Sequence, residues 1–320
     1  MIAGRCLVLG GCGFIGSHVV ELLADQGCQV RIFSPSPDLP NRLTPIAQRL
    51  EFITGDFRDQ KALACAVRGC DYVYHFIATT KPAASNREVV FDVETNLVPT
   101  LRLLEICVRE RVRRIIFSSS GGTIYGDAEH VPIPESHPTE PRSSYGIMKL
   151  AVEKYLKLFR HLHGLDYTVL RVGNCYGPGL PITGEQGVVG VFLDRLRRGE
   201  PILVWGDGSV RRDYVYVSDV ARAFWVALGQ QSPFRVFNIG TGVGTSLLEL
   251  IKMMERVTSC RARILKKPTR QVDASVNVLD PSRARQYLQW EASTPLEVGL
   301  LRTWKWIQAT EMRGISAPVQ

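Results

Sequence analysis

The chain has 320 residues, 45% of them hydrophobic, which suits one large α/β domain or two smaller ones around a substantial core. Its formal charge of +8, from 39 basic and 31 acidic side chains, is dispersed rather than gathered into a basic stripe, so an anionic small molecule is the expected partner and nucleic acid is not. No run reaches the roughly 20 apolar residues of a membrane span, no leader pattern is visible, and the eight cysteines lack C-x-x-C or histidine at zinc spacing. A cytosolic protein without disulfide framework or metal site is expected.

An apolar run at residues 5–9 leads directly into L-V-L-G-G-C-G-F-I-G-S-H and a helical pattern over 14–26. Gly10, Gly13 and Gly16 stand at G-x-x-G-x-x-G spacing after a strand and at the mouth of a helix. Glycine there permits a tight turn and close approach of backbone to a pyrophosphate, whose charge the helix N-terminus stabilises. A lone glycine motif is weak, but its place between strand and helix makes an ordinary turn a poor alternative.

The next strand, 29–33, ends at Ser34 in F-S-P-S-P, where an acid normally bonds the ribose 2′-hydroxyl of NAD. The first acid is Asp38 and the nearest downstream arginine is Arg42, so NAD and NADP both stay open. A strand at 51–54 is followed by T-G-D-F, where Asp56 could accept from an adenine amino group or simply cap a turn. Helix 60–67, strand 71–75, helix 88–109, strand 113–118, helix 144–163 and strand 166–171 continue the alternation. This rhythm predicts a Rossmann-like, doubly wound parallel sheet of the α/β class.

After residue 172 a loop rich in glycine and proline precedes a helix at 188–198, a strand at 202–205, D-Y-V-Y-V, a helix at 219–229 and a strand at 236–239. The expected division is a dinucleotide-binding domain over 1–172, with a return crossing near 213–240. A smaller C-terminal α/β substrate lobe would then be built from 173–212 and 241–320.

The chemistry points to Y-G-I-M-K, where Tyr145 and Lys149 share one helix face. A phenol of pKa about 10 is a poor base. A neighbouring ammonium together with a nicotinamide cation would favour the phenolate, allowing Tyr145 to exchange a proton with a substrate hydroxyl as hydride moves. Y-x-x-x-K alone is usually a surface pair; behind a glycine turn and a serine-rich strand end it carries more weight.

In order along the chain, G-G-C-G-F-I-G-S-H, V-Y-H-F-I-A, D-V-E-T-N-L-V-P-T-L-R-L-L-E, Y-G-I-M-K, R-V-G-N-C-Y-G-P, G-D-G-S-V-R-R-D-Y-V-Y-V-S-D-V-A and F-N-I-G resemble the extended short-chain dehydrogenase/reductase family. The likeness is greatest to its nucleotide-sugar epimerases, of the kind that invert C4 of UDP-glucose. The resemblance implies a tightly held NAD, a transient 4-keto sugar, Tyr145 as acid and base, and Lys149 on the nicotinamide ribose. It further implies cofactor contacts at Gly10, Gly13, Phe14, Ile15, Gly16, Ser34, Asp56, Phe57, Phe76, Ala78, Asn96 and Ser118. For a nucleotide-sugar substrate it implies Asn174 and Arg212 at the diphosphate, and Gln186, Val188, Arg270 and Asp273 at the nucleotide. A homodimer through helices 88–109 and 144–163 is also implied.

Family dehydratases carry an Asp-Glu pair before Y-G; G-G-T-I-Y-G has no carboxylate, so dehydration is disfavoured. An NAD(P)H-dependent reductase, or a noncatalytic dinucleotide-binding regulator, are the alternatives. In S-S-S-G-G-T-I-Y-G, counting back from Tyr125 puts Gly121 where the family has its catalytic Ser or Thr, whereas counting forward from Phe117 puts Ser120 there. One inserted glycine reconciles the counts, with Ser120 favoured and Thr123 the rival for the sugar 4-oxygen.

Overall fold

A computed structural model describes residues 4–80, 85–180, 182, 187–268 and 275–312. Seven parallel strands form the main sheet: β1 (Arg5–Leu9), β2 (Gln29–Ser34), β3 (Leu50–Thr54), β4 (Tyr72–His75), β5 (Arg114–Ser120), β6 (Asp166–Val172) and β10 (Val236–Ile239). Their order is β10-β6-β5-β4-β1-β2-β3, a doubly wound sheet as expected, with its reversal at β1/β4. Strands such as R-C-L-V-L are apolar on both faces because helices cover both. On one face lie α1 (Phe14–Asp25) and α7 (Val217–Leu228), closing a core of Val8, Leu23, Ile32, Ile116 and Phe224. On the other lie α2 (Gln60–Val67), α4 (Val98–Arg109) and α5 (Ser144–His163), over Leu7, Leu104, Phe117, Met148 and Val169.

A single helix over 88–109 was the sequence expectation, and the structure divides it. Helix α3 (Val89–Asp92) passes through a π turn, Val93–Leu97, into α4. Pro99 has no N–H and its ring excludes the carbonyl of residue 95, so the ladder widens before it. Thr95 and Asn96 repair the gap, their side chains donating to the carbonyls of Phe91 (2.7 Å) and Asp92 (3.1 Å).

The remaining strands build a separate layer. β9 (Arg211–Tyr216) pairs with β7 (Asn174–Tyr176), β11 (Gly244–Ser246) and β13 (Val276–Asn277), while β8 (Ile202–Trp205) pairs with β12 (Ile264–Lys267). With α6 (Val188–Arg198), α8 (Leu247–Thr258) and α10 (Leu296–Met312) they enclose a second core of Phe192, Val204, Tyr214, Met254 and Trp304. Helix α9 (Ser282–Leu288) packs back against β10. Asn174–Tyr176 was expected to be loop; three residues there become strand by pairing with β9.

Candidate active site

At the carboxyl end of β1 the chain turns through Gly10, whose φ of +77° suits glycine, into Gly13, the residue capping α1. A side chain on Gly16 would collide with the Gly10 carbonyl oxygen, so turn and helix touch at backbone distance. Helices α2, α5 and α8 are capped by Asp59, Ser143 and Ser246, whereas no side chain caps α1. The N–H groups at Phe14 and Ile15 therefore lie in an uncapped first turn, a cradle that fits a dinucleotide pyrophosphate. Over this helix lies the loop after β7: the Pro178 carbonyl meets His18 Nε2 at 2.8 Å. Burial and nearby Arg42 lower the His18 pKa to about 4, so it is neutral at working pH. Sequence reading missed this anchor, for which a lone histidine in a helix gives no signal.

The other predicted cofactor residues gather along the same sheet edge. Ser34 ends β2, buried; Asp56 follows β3. Asp56 is held well below the usual carboxylate range, at about 2, by the Arg58 side chain and N–H, the guanidinium lying 2.5 Å away. Phe57 packs on His75, with ring centroids 5.2 Å apart, while Phe76 tilts over Phe224 at 4.6 Å. Ala78 is exposed just beyond β4. Asn96 is buried and spent on its own neighbours: Oδ1 accepts from Thr79 N at 2.8 Å, and Nδ2 donates to Thr79 Oγ1 and Asp92 Oδ1. Its reach toward a cofactor is through the loop it holds.

Helix α5 begins in a set of side-chain acceptors. Asn86 Oδ1 takes Ser144 N–H (2.8 Å), Ser85 Oγ takes Tyr145 N–H (3.0 Å) and Ser143 Oγ takes Gly146 N–H (3.2 Å). This fixes Tyr145 at the start of the helix, with Lys149 one turn on. Lys149 Nζ donates to the Ser118 carbonyl at 2.9 Å and lies 5.5 Å from the centre of the Tyr145 ring. The phenolate is expected with both the Lys149 ammonium and a nicotinamide cation beside it; in the protein alone the Tyr145 pKa is raised. Burial, with Asp92 second, pushes it up to about 12, and burial brings Lys149 down to about 8 against the opposing charges of Asp92 and Glu153.

The hydroxyls of S-S-S-G-G-T form a shelf at the end of β5, and their roles resolve by strand parity. Ser119 shares the face of Ile115 and Phe117, and its Oγ donates to Glu153 Oε1 at 2.5 Å, so it is structural. Ser118 supplies its carbonyl to Lys149. Ser120 ends β5, and among the described residues its hydroxyl has no partner. Thr123 Oγ1 is buried without a hydrogen bond, and the Thr123 carbonyl abuts Gly146, next to Tyr145.

The two glycines between them differ sharply. A Cβ on Gly121 would press Leu279 Cδ1 at 2.5 Å and the Arg171 carbonyl at 3.1 Å. One on Gly122 would meet only Asn174 Oδ1 and Ser120 Oγ, both at 3.9 Å. Gly121→Ala should therefore cost about 1–3 kcal/mol in a denaturant melt. Gly122→Ala should fold like the parent but raise KM about tenfold, because its methyl (some 1–3 kcal/mol of fit) enters the space between Ser120 and Asn174.

Opposite the shelf, register places four polar residues on one face of the small sheet. Asn174 pairs with Tyr214, Asn277 with Arg212, and residues 212 and 214 point the same way. Asn174 Nδ2, Tyr214 OH and Asn277 Oδ1 are buried without hydrogen-bond partners, donors and acceptors suited to a polar ligand. Sequence reading found Asn174 and Arg212 and missed Tyr214 and Asn277; the alternation in R-R-D-Y was the available signal for Tyr214. Val188 opens α6 beside the second core. Gln186, Arg270 and Asp273 lie outside the described residues.

A parallel doubly wound sheet, an uncapped helix at its glycine turn and a Tyr-Lys pair beside free hydroxyls define a dinucleotide-dependent enzyme acting on a polar substrate. Residues 6–240 match the family described as "NAD dependent epimerase/dehydratase family". The chain belongs to that family, and NAD is its cofactor. It is 35% identical, over 93% of its length and 97% of the relative's, to a UDP-glucose 4-epimerase of Mycolicibacterium smegmatis. The crystal structure of a Thermotoga maritima UDP-glucose 4-epimerase with UDP-glucose superposes with a TM-score of 0.91 at 38% identity, covering 96% of this chain and 99% of the other. That of a Thermus thermophilus UDP-glucose 4-epimerase complex with NAD gives 0.88 at 33% identity, covering 95% and 99%.

Proposed function

We propose that the protein interconverts the C4 epimers of a UDP-hexose, with Tyr145 and Lys149 as its catalytic pair. The observation that carries the reading is Gly122, across which Ser120 on the hydroxyl shelf and Asn174 on the small sheet open onto one space. The C4-bearing ring fits the shelf side, and the diphosphate fits Asn174 and Arg212. Gln186, Val188, Arg270 and Asp273 complete the nucleotide end of this assignment. Bound NAD would supply reversible storage of the C4 hydrogen as hydride. Tyr145 takes and returns the O4 proton, with Ser120, or its rival Thr123, holding that oxygen. Lys149 bonds the nicotinamide ribose and keeps a positive charge beside Tyr145. Gly10, Gly13, Phe14, Ile15 and Gly16 hold the pyrophosphate; Ser34, Asp56, Phe57, Phe76, Ala78 and Ser118 line the remaining cofactor wall, and Asn96 holds the loop beside it.

The same reading divides the chain into a cofactor half, 1–172 with 213–240, and a sugar half, 173–212 with 241–320. It places the protein in the cytosol as a homodimer. Among the described residues no helix is long and apolar enough to cross a membrane. The dimer is supported by exposed Val90 and Phe91 on α3 and by Ile147, Leu158 and Leu162 in one stripe along α5. Purified protein should release NAD on denaturation, sediment as a dimer, and equilibrate UDP-glucose with UDP-galactose by NMR with no cofactor added. Stoichiometric consumption of added NAD(P)H would instead identify a reductase, and cofactor release without turnover on a UDP-sugar panel a noncatalytic binder.

A further inference from the structure

Asp92 has no part in the assignments above, yet three elements meet at its fully buried carboxylate. Its Oδ1 accepts from Thr80 Oγ1, in the loop leaving the cofactor end of β4, and from Asn96 Nδ2 at 3.0 Å in the π turn. Its Oδ2 accepts from Ser144 Oγ at 2.7 Å, in the first turn of α5. Asn96 in turn accepts Thr79 N–H at 2.8 Å, so the loop, the π turn and the catalytic helix are locked through one carboxyl group.

We propose that Asp92 is a positioning residue of the epimerisation. It ties the cofactor-side loop to the helix bearing Tyr145 and Lys149, and its fixed negative charge sets the pH range over which that pair works. The inference rests on the reading of Tyr145 and Lys149 as the catalytic pair. Residues 92 and 96 stand one turn apart on one helix face, and both turn inward, on Thr80 and Thr79.

The charges around the pair are few among the described residues. Lys149 and Glu153 lie on α5, Glu153 paired with Arg171 of β6 at 2.7 Å. His75 of β4 is kept neutral by burial and Lys149, its pKa about 3. Asp92, on α3, is the anion that acts on both Tyr145 and Lys149, and among the described residues it has no cationic partner. A negative charge opposes ionisation of a phenol and favours an ammonium. Removing it therefore lowers the pKa of Tyr145 and of Lys149 alike, and both limbs of a pH–rate profile move to lower pH.

The test uses the NAD-loaded protein. Tyr145 is titrated by its ultraviolet difference spectrum against Tyr145→Phe, in the parent and in Asp92→Asn, beside pH profiles of turnover. Asp92→Asn keeps the shape and removes the charge; the Tyr145 midpoint and both kinetic limbs should fall by about one pH unit or more. Superimposable titrations of Asp92→Asn and parent overturn the proposal. Ser144→Ala keeps the charge and cuts one tie, and it carries the test should Asp92→Asn not fold. Its kcat should fall about tenfold, the worth of one hydrogen bond, with KM and the Tyr145 midpoint unchanged. A parental kcat there also overturns it. Full activity in Tyr145→Phe would instead reject the catalytic pair itself, a result distinct from either.

Discussion

Tyr145→Phe is expected to leave a folded protein that still binds NAD and epimerises about 10²–10⁴-fold more slowly. The phenol oxygen donates to nothing among the described residues; the hydrogen bond that holds Tyr145 runs from its backbone N–H to Ser85. Losing the hydroxyl therefore changes stability by no more than about 0.5 kcal/mol. The chemical loss is large because, in the proposed function, Tyr145 carries the proton transfer. Burial pushes the Tyr145 pKa to about 12, so the protein alone supplies a weak base and depends on charges brought in by binding. Thermal melts, NAD released on denaturation, and NMR turnover separate the outcomes. Retained turnover would move the acid–base role elsewhere, with Thr123 and its unpartnered buried hydroxyl the first place to look.

The second large effect is one of stability. Arg171→Met should lower it by about 3–5 kcal/mol, because it leaves the Glu153 carboxylate buried without its cation. Both side chains are almost wholly buried, at 6% and 5% exposure, and Arg171 Nη2 lies 2.7 Å from Glu153 Oε2. The pair is the middle of a chain of bonds. Ser119 donates to Glu153 at 2.5 Å, Arg171 donates to Tyr125 OH at 2.9 Å, and Tyr125 donates to Asn238 Oδ1 at 2.7 Å. Strands β5, β6 and β10, helix α5 and the S-S-S-G-G-T-I-Y-G loop are thereby held in one register. Arg171→Met with Glu153→Gln should be less damaging than Arg171→Met alone, since removing both charges abolishes the uncompensated one. Urea melts of the four-member cycle measure the coupling, and equal losses in single and double variants would show that the charge is not the cause.

Much of this was readable from the chain because local and long-range signals agree. Helix 144–163 stands where it was expected, bounded by Ser143 as an N-terminal cap and by Gly164 in the left-handed conformation. Tyr145 and Lys149 on that helix, and Gly10, Gly13 and Gly16 before α1, are placed by chain-local rules. Beyond residue 240 the signals fail for identifiable reasons. Strand β12 is exposed at all four positions and β13 has two residues, so neither shows a period. Helix α8 could have been found from the Ser246–Glu249 capping box. Asp92 reads as one more polar residue in a helix; only its burial and its bonds to Thr80, Asn96 and Ser144 reveal that it faces inward. The rise of the Tyr145 pKa in the protein alone comes first from burial, which no spacing shows.

The placement of β10 has a consequence for how the molecule is made. Strand β6 ends at Val172, but the strand that covers its outer edge, Val236–Ile239, is synthesised some sixty residues later, after much of the second layer. A nascent chain released or stalled between these points carries an unpaired, apolar parallel strand, the kind of edge on which chains aggregate. The sheet reaches its final width only once residue 239 has emerged. A fragment ending at the apparent boundary of the nucleotide domain would thus be a poor reagent, and dissection of this protein should keep β10 with β6.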